Sequence, residues 1–229
     1  ISGDKCKGLC SAEWRSHYKY LGLWIDKNLK VVQHVKKTAE KVDRTTRVLP
    51  RIMLNKDIPS SGKRRTLVEV VDSVVMYAVP AWIDIVKVQK YRRLIMERCQ
   101  RKALLRVASA YRTVSGEALS VITCTPSIDL LMNMRTSISR SRGEQIAEEK
   151  CKMTESWQER WQNATVGVWT RRLNPKVQDW IERGEGGIDH YVTQFLTGHD
   201  SFGTYLRRIG KVQEDTCKYC GGIDASEHL

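Results

Sequence analysis

The feature that most narrows the fold is an apolar periodicity of three and four residues that runs through most of the chain. Leu29, Val32, Val35, Ala39 and Val42 recur at that spacing, with Lys36, Lys37, Lys41 and Arg44 between them. Such a pattern gathers apolar side chains on one face of a helix and leaves charge on the other. Leu67, Val70, Val71, Val74, Val75 and Ala78 repeat it, after a break at Pro59-Ser60-Ser61-Gly62 and a start marked by Lys63-Arg64-Arg65. Pro50 is expected to end or kink the first helix, and Pro80 to close the second near Ala81-Trp82, because proline lacks an N–H and crowds the preceding turn. A third helix, about residues 87–109, would bury Val88, Tyr91, Leu94, Ile95, Leu105 and Ala108.

Further on, Ser115 reads as the N-cap of a short helix through Leu119 and Ile122. Pro126 stands near the start of another, which carries Ile128, Leu131, Arg135 and Ile138. Residues 139–156 are rich in both charges and read as exposed. Trp157 and Trp161, spaced i, i+4, are expected to pack a helix onto the core; base stacking by these rings, Trp169 or Trp180 is the alternative. Gly184, Gly186 and Gly187 form a loop, and Phe202, Tyr205 and Leu206 a small closing helix. Only residues 1–27 read as β: Tyr18, Tyr20, Leu23 and Ile25 make an apolar-aromatic run interrupted by Gly22, with a turn at Asp26-Lys27-Asn28. The expected class is mainly α, with a short hairpin at one end.

Cys217 and Cys220 form a C-x-x-C pair, and His228 follows after seven residues. Two thiolates at that spacing clasp one ion from a tight knuckle, and the histidine adds a third ligand. Gly221-Gly222 supplies the positive φ that such a knuckle requires. A structural zinc takes four ligands, so the fourth is His199 or a cysteine beyond Leu229; the bland reading is two reduced thiols and an unrelated histidine. The seven cysteines (6, 10, 99, 124, 151, 217 and 220) are odd in number and scattered, which favours free or metal-bound thiols over a disulfide framework.

Charge is distributed unevenly. Residues 1–160 hold 31 Lys/Arg against 17 Asp/Glu, whereas residues 161–229 hold 8 against 9. The densest stretch is the third helix, with Lys87, Lys90, Arg92, Arg93, Arg98, Arg101, Lys102 and Arg106, then Arg112, against Glu97 alone. A face so poor in acids can neutralise several phosphates, although a merely solvated face has the same composition. No apolar run reaches the roughly 20 residues needed to cross a bilayer, so no membrane partner is expected. The sequence opens at Ile1 with neither a methionine nor a signal-like apolar segment, and with the knuckle unfinished the chain is expected to be a fragment.

Catalytic patterns are missing. There is no phosphate-binding glycine loop, no H-E-x-x-H, and no pair of neighbouring aspartates for a two-metal site; His34, His190 and His199 have no evident nucleophile beside them. From its residues this chain binds and does not react.

Several phrases together carry a family resemblance. Lys19-Tyr20-Leu21-Gly22-Leu23-Trp24-Ile25-Asp26 resembles the K-Y-L-G-V-x-I-D segment that follows the catalytic palm of non-LTR retrotransposon reverse transcriptases, and Tyr77-Ala78-Val79-Pro80-Ala81-Trp82 the Y-A-A-P-V-W of their thumb. Gln100-Arg101, Ala110-Tyr111-Arg112-Thr113-Val114-Ser115 and Gln194-Phe195-Leu196-Thr197-Gly198-His199 follow in the family's order. Tyr205-Leu206 and Cys217-x-x-Cys220-x7-His228 resemble the tail that ends in its C-C-H-C knuckle. The likeness is to the type-one insect elements that insert into ribosomal RNA genes.

That resemblance implies a Pol polyprotein with endonuclease and RNA-directed DNA polymerase activity, acting in the nucleus. Its magnesium-binding aspartates would lie upstream of Ile1 and its last knuckle cysteine past Leu229, so no catalytic residue is carried over. Residues 1–27 would end the palm, with Tyr20-Leu21-Gly22 as the hairpin that supports the primer. Residues 28–115 would be the helical thumb on the template–primer duplex, through Arg92, Arg93, Arg98, Arg101 and Lys102. Residues 116–190 would be a helical linker, and 191–229 a nucleic-acid-binding end with an incomplete zinc knuckle of Cys217, Cys220 and His228. The expected partners are RNA template, DNA primer and target DNA. A stand-alone nucleic-acid-binding module derived from such an element is the second reading. A protein-interaction scaffold after residue 139 is the third.

Overall fold

The computed structural model describes residues 16–52, 61–87, 90–183, 187–199 and 202–228. Cys6, Cys10, Pro59, Ser60, Val88, Gly184 and Gly186 lie outside the described residues. Two antiparallel strands, β1 (His17–Tyr20) and β2 (Leu23–Asp26), open the fold, with Tyr18 opposite Ile25 and Tyr20 opposite Leu23. Leu21 and Gly22 make the two-residue turn, both at positive φ (43° and 84°), as a hairpin of this length requires. The Asp26 carboxylate then accepts from Lys30 N at 2.7 Å and Val32 N at 2.9 Å, capping α1 (Val32–Ile52). Leu29 stays in this turn, exposed, while Val35 and Val42 are buried. Pro50 does not end α1, which continues to Ile52; it stands in the last turn, where a proline forfeits little of the hydrogen-bond ladder.

The next helix, α2 (Ser61–Val75), includes Gly62 and buries Leu67, Val71 and Val75. Pro80 does not close it. It is the second residue of α3 (Val79–Lys87), where its missing N–H costs nothing, and the corner is made by Ala78 at φ 52°. Tyr77 at this corner donates its hydroxyl to Leu21 O at 2.6 Å, and its own carbonyl accepts from Trp82 Nε1 at 3.0 Å. The Y-A-V-P-A-W phrase therefore holds the tip of the K-Y-L-G hairpin. A Cβ on Gly22 would lie 2.8 Å from the Tyr77 ring.

Helix α4 (Lys90–Val107) packs on both α1 and α2 through Arg92, Met96, Cys99, Gln100, Ala103, Leu104 and Val107. The expected stripe is thus partly rotated: Ala108 is buried as expected, Leu94, Ile95 and Leu105 are half-buried, and Tyr91 is 70% exposed. The reason is that polar Gln100 and Arg92 occupy core positions that a hydrophobic reading skips. Gln100 Nε2 donates to Asp72 Oδ1 (3.2 Å) and Pro126 O (3.0 Å), while Oε1 accepts from Ile128 N at 2.8 Å. One amide thereby joins α2, α4 and the entry to the helix after Pro126.

Ser115 caps α5 (Gly116–Ile122) by accepting from Ala118 N, and α6 (Ile128–Arg140) follows, with Ile128 buried. Helix α7 (Ile146–Gln162) begins within the charged segment; its Trp157 and Trp161 are 1% and 0% exposed, which leaves no face for a base. Three short helices follow: α8 (Val168–Leu173), α9 (Val177–Glu182) and α10 (His190–Thr197). The chain ends with α11 (Gly203–Arg208) and a 3-10 turn at Ser226–His228. The fold is mainly α, as expected. A continuous buried cluster runs from Val31 to Val177 and crosses residue 115 without interruption. No single helix among the described residues is long and apolar enough to cross a membrane.

Burial pushes the Asp72 carboxyl up to about 7, with Glu69 adding to the rise and the Gln100 bond opposing it. The unfolded chain releases this proton near the ordinary 3.8, so the folded state holds it longer. Stability from this group is full below about pH 4 and falls as pH climbs through the folded value near 7. Asp72→Asn keeps an acceptor for Gln100 and removes the charge. We expect it to stabilise the chain at pH 8 by an amount on the order of a few kcal/mol and to flatten urea-midpoint dependence between pH 4 and 8. An unaltered pH dependence would assign the slope to another group.

Candidate metal centre and nucleic-acid interface

Residues 216–228 fold back on themselves to gather three ligand-type side chains. Thr216 and Ile223 pair as an antiparallel bridge, Cys217 N donates to Gly222 O at 2.7 Å, and Gly221 N donates to Cys217 O at 3.0 Å. Gly221 sits at φ 74°, where a side chain would be strained. The ligand atoms of Cys217, Cys220 and His228 all lie within 4.8 Å of one another, and Cys220 Sγ is 3.0 Å from His228 Nε2. Gly222 lies against the ligands: a Cβ there would stand 3.3 Å from His228 Cε1 and 3.5 Å from Cys220 Sγ.

Backbone amides of Tyr219 and then Cys220 bring the Cys217 thiol down to about 7. A thiolate is therefore available near neutral pH, and thiolate is the form that metals take. Two soft sulfurs and an imidazole so placed suit zinc. His199, left open as a further ligand, is elsewhere. Its Nε2 pairs with Thr113 Oγ1 at 2.8 Å and its Nδ1 with Thr197 O at 2.9 Å, and burial lowers its pKa.

The tail is tied to the body by the phrases singled out in the sequence. Tyr111 stacks on Tyr205 with centroids 6.0 Å apart and lies 5.9 Å from His199. Gln194 Nε2 and His190 Nδ1 both reach Ser109 O, at 3.3 and 3.0 Å. Asp224 accepts from Gly203 N and Thr204 N, each at 2.9 Å, joining the knuckle to α11.

The expected basic face of α4 is dispersed. Arg92 is buried at 6% exposure, and its Nη1 has no hydrogen-bond partner among the described residues. Arg93 pairs with Glu97 (3.2 Å) and Lys102 with Asp43 of α1 (2.7 Å). Arg101 donates to Arg112 O (2.9 Å) and Val114 O (2.6 Å), so it braces the A-Y-R-T-V-S loop. Arg98, Arg106 and Arg112 are exposed and make no ion pair among the described residues.

Positive charge collects instead in a groove of about 550 Å³ between α1 and α4, lined by Arg47, Arg101, Lys102, Arg106 and Arg112 against the single acid Asp43. The Lys102 hydrogen bond and charge hold the Asp43 carboxyl below its ordinary pKa. Arg47 was missed because it lies on a different helix, far from its partners in the chain; no periodicity within one helix signals that. A second basic depression, about 200 Å³, lies beside the hairpin and involves Lys19, Lys37 and Lys41 with Trp24 and Tyr77. Helix α1 borders both. Tyr20 and Leu21 are 65% and 77% exposed at the hairpin tip, with Gly22 in its turn.

The chain is similar to proteins of type-1 retrotransposable elements of insects. It is 29% identical, over 86% of its length, to a 115 kDa protein in the element R1DM of Drosophila melanogaster. It is 26% identical over 96% of its length to a retrovirus-related Pol polyprotein from the element R1 4 of Nasonia vitripennis, and 23% identical over 92% to one from R1 of Bradysia coprophila. It spans only 21%, 60% and 23% of those proteins, respectively. The resemblance carried by those phrases is borne out at this level. No family model and no solved structure matches the chain.

Cys220→Ser should lower zinc affinity at least about tenfold, since one of three gathered ligands loses its thiolate. Zinc should also raise hydrogen-exchange protection over 203–228 in the parent chain and not in the variant, with the melting of α1–α7 unchanged. Protection that is indifferent to both metal and Cys220→Ser would make these ordinary thiols.

Proposed function

We propose that this chain is part of the Pol polyprotein of a type-one retrotransposable element and serves there as a nucleic-acid-binding body. The observation that carries this reading is the α1–α4 groove, in which five cations face one carboxylate. Such a groove tracks a phosphate backbone without reading bases. Similarity to Pol polyproteins of R1 elements supplies the context.

Under this reading, residues 28–115 act as a thumb that holds the template–primer duplex, and the Tyr20-Leu21-Gly22 tip supports the primer from the hairpin side. Both basic depressions border α1, so one helix would serve both ends of the bound duplex. Residues 116–190 link this body to the end region, 191–229, where Cys217, Cys220 and His228 would hold zinc and keep the knuckle closed. RNA-directed DNA polymerase and endonuclease activities belong to the parent polyprotein, with magnesium held by residues outside this chain. The partners are RNA template, DNA primer and target DNA, and the setting is the nucleus.

Replacing Arg47, Arg106 and Arg112 together with Gln should weaken binding to a DNA duplex without changing sequence preference. The slope of log K against log salt should become shallower by about 0.9 for each phosphate that is no longer neutralised. Arg98→Gln, outside the groove, should leave the slope close to that of the parent. Unchanged affinity and slope in the triple variant would remove the groove from the reading.

A further inference from the structure

The depression beside the hairpin, about 200 Å³, has a buried histidine in its wall. His34, Lys37 and Lys41 stand at i, i+3 and i+7, on one face of α1. Lys19 and Trp24 are directly opposite in the β1–β2 register, so both lie on the hairpin face that meets α1. His34 is 4% exposed, and neither of its ring nitrogens has a hydrogen-bond partner among the described residues. The ring packs edge-to-face with Trp82, centroids 5.2 Å apart, and Trp82 is itself fixed by its bond to Tyr77 O. Burial holds the imidazole pKa below its ordinary value, so at neutral pH the ring is uncharged and offers one N–H and one lone pair. Buried polar groups are nearly always paired, and an orphan in the wall of a cavity marks a place for a polar atom of a ligand.

The charge around that orphan has one sign. No carboxylate lines the depression. Lys37 is shared with Glu40 at 3.0 Å, while Lys19 and Lys41 make no ion pair among the described residues. A cation would be repelled here, and an apolar ligand would leave His34 without a partner. From these observations we infer that the depression is a site for a phosphate monoester, held by His34, Lys19 and Lys41, and carried by the end of a strand or by a free phosphate compound. A monoester bears about −1.5 to −2 charge at pH 7 and three acceptor oxygens, which matches the two lysines left over and the histidine N–H. A phosphate inside a strand bears a single charge and continues on both sides. It suits the α1–α4 groove, whose 550 Å³ is more than twice this volume. The inference rests on the nucleic-acid reading above only where the phosphate belongs to a strand; a free phosphate would use the site without it.

The test follows the histidine ring signals of the full chain by NMR while inorganic phosphate replaces sodium chloride at constant ionic strength. The His34 signal, assigned by its loss in His34→Gln, should shift and saturate. Lys19→Gln combined with Lys41→Gln should weaken phosphate binding at least about fivefold and leave the melting temperature unchanged, because both lysines are exposed. Should His34→Gln fail to fold, this double variant still decides: the signal at issue is the one that shifts in the parent and not in the variant. A second arm measures, by fluorescence anisotropy, a 12-nucleotide DNA strand with a phosphate at its 5′ end, at its 3′ end or at neither. A preference of at least about threefold for a phosphorylated end, absent from the double lysine variant, assigns the site to strand ends. Saturable phosphate binding without that preference supports the site and assigns it to free phosphate. Histidine signals unmoved by phosphate, or equal phosphate binding by the double variant, would overturn the proposal. If the parent binds duplex with His34 unmoved, this inference fails alone; if His34 responds and no duplex is bound, the groove reading fails alone.

Discussion

The buried amide of Gln100 is the interaction on which the helical body depends. It lies at 3% exposure and uses both of its polar atoms: the nitrogen donates to Asp72 of α2 and to the Pro126 carbonyl, and the oxygen accepts from Ile128 N at the first turn of α6. Removing it would orphan the buried Ile128 N–H at the entry to α6 and take a donor from the buried Asp72 carboxyl on α2, and each buried orphan costs about 1–3 kcal/mol. Hydrophobic packing alone would allow α4 to rotate against α2 and α6. An amide with three directed bonds does not, and so the orientation of α4 is set by polar geometry inside an apolar cluster.

The same orientation decides where the charges go. With Gln100 turned inward, the adjacent Arg101 points to the carbonyls of Arg112 and Val114, and Lys102 to Asp43. Arg92, two turns earlier on the inward side, is buried with it. Of the exposed arginines that make no ion pair among the described residues, Arg106 of α4 and Arg112 just beyond it line the groove with Arg47, while Arg98 lies outside it. The basic composition of α4 is thus divided between bracing a loop, pairing with α1 and lining a cleft.

A second set of interactions carries the body's geometry into the tail. The loop braced by Arg101 presents Tyr111 and Thr113 to His199 and Tyr205, while Ser109 O receives His190 and Gln194. The knuckle is fastened in turn to α11 through Asp224. The A-Y-R-T-V-S and Q-F-L-T-G-H phrases, far apart in the chain, are therefore the two sides of one joint.

Local patterns of the chain determined much by themselves. Three- and four-residue apolar spacing suffices to make helices from Val35, Val42, Leu67 and Val71, because burial of one face is a property of the helix alone. Ser115 capped α5, Leu21-Gly22 turned the hairpin, and Trp157 and Trp161 went into the core, each for reasons contained within a few residues. The C-x-x-C turn and His228 came together likewise, since one short loop spans them. Tertiary structure alone decided the rest. Proline at 80 could close one helix or open the next, and only the packing of Trp82 selected the second. Tyr91 and Arg92 differ by one position, about 100° of helix rotation, and a hydrogen bond made by Gln100 with residues on two other helices chose which went inside. The groove joins Arg47 to Arg106 and Arg112 across two helices, and charge placed together by packing leaves no periodic trace in sequence.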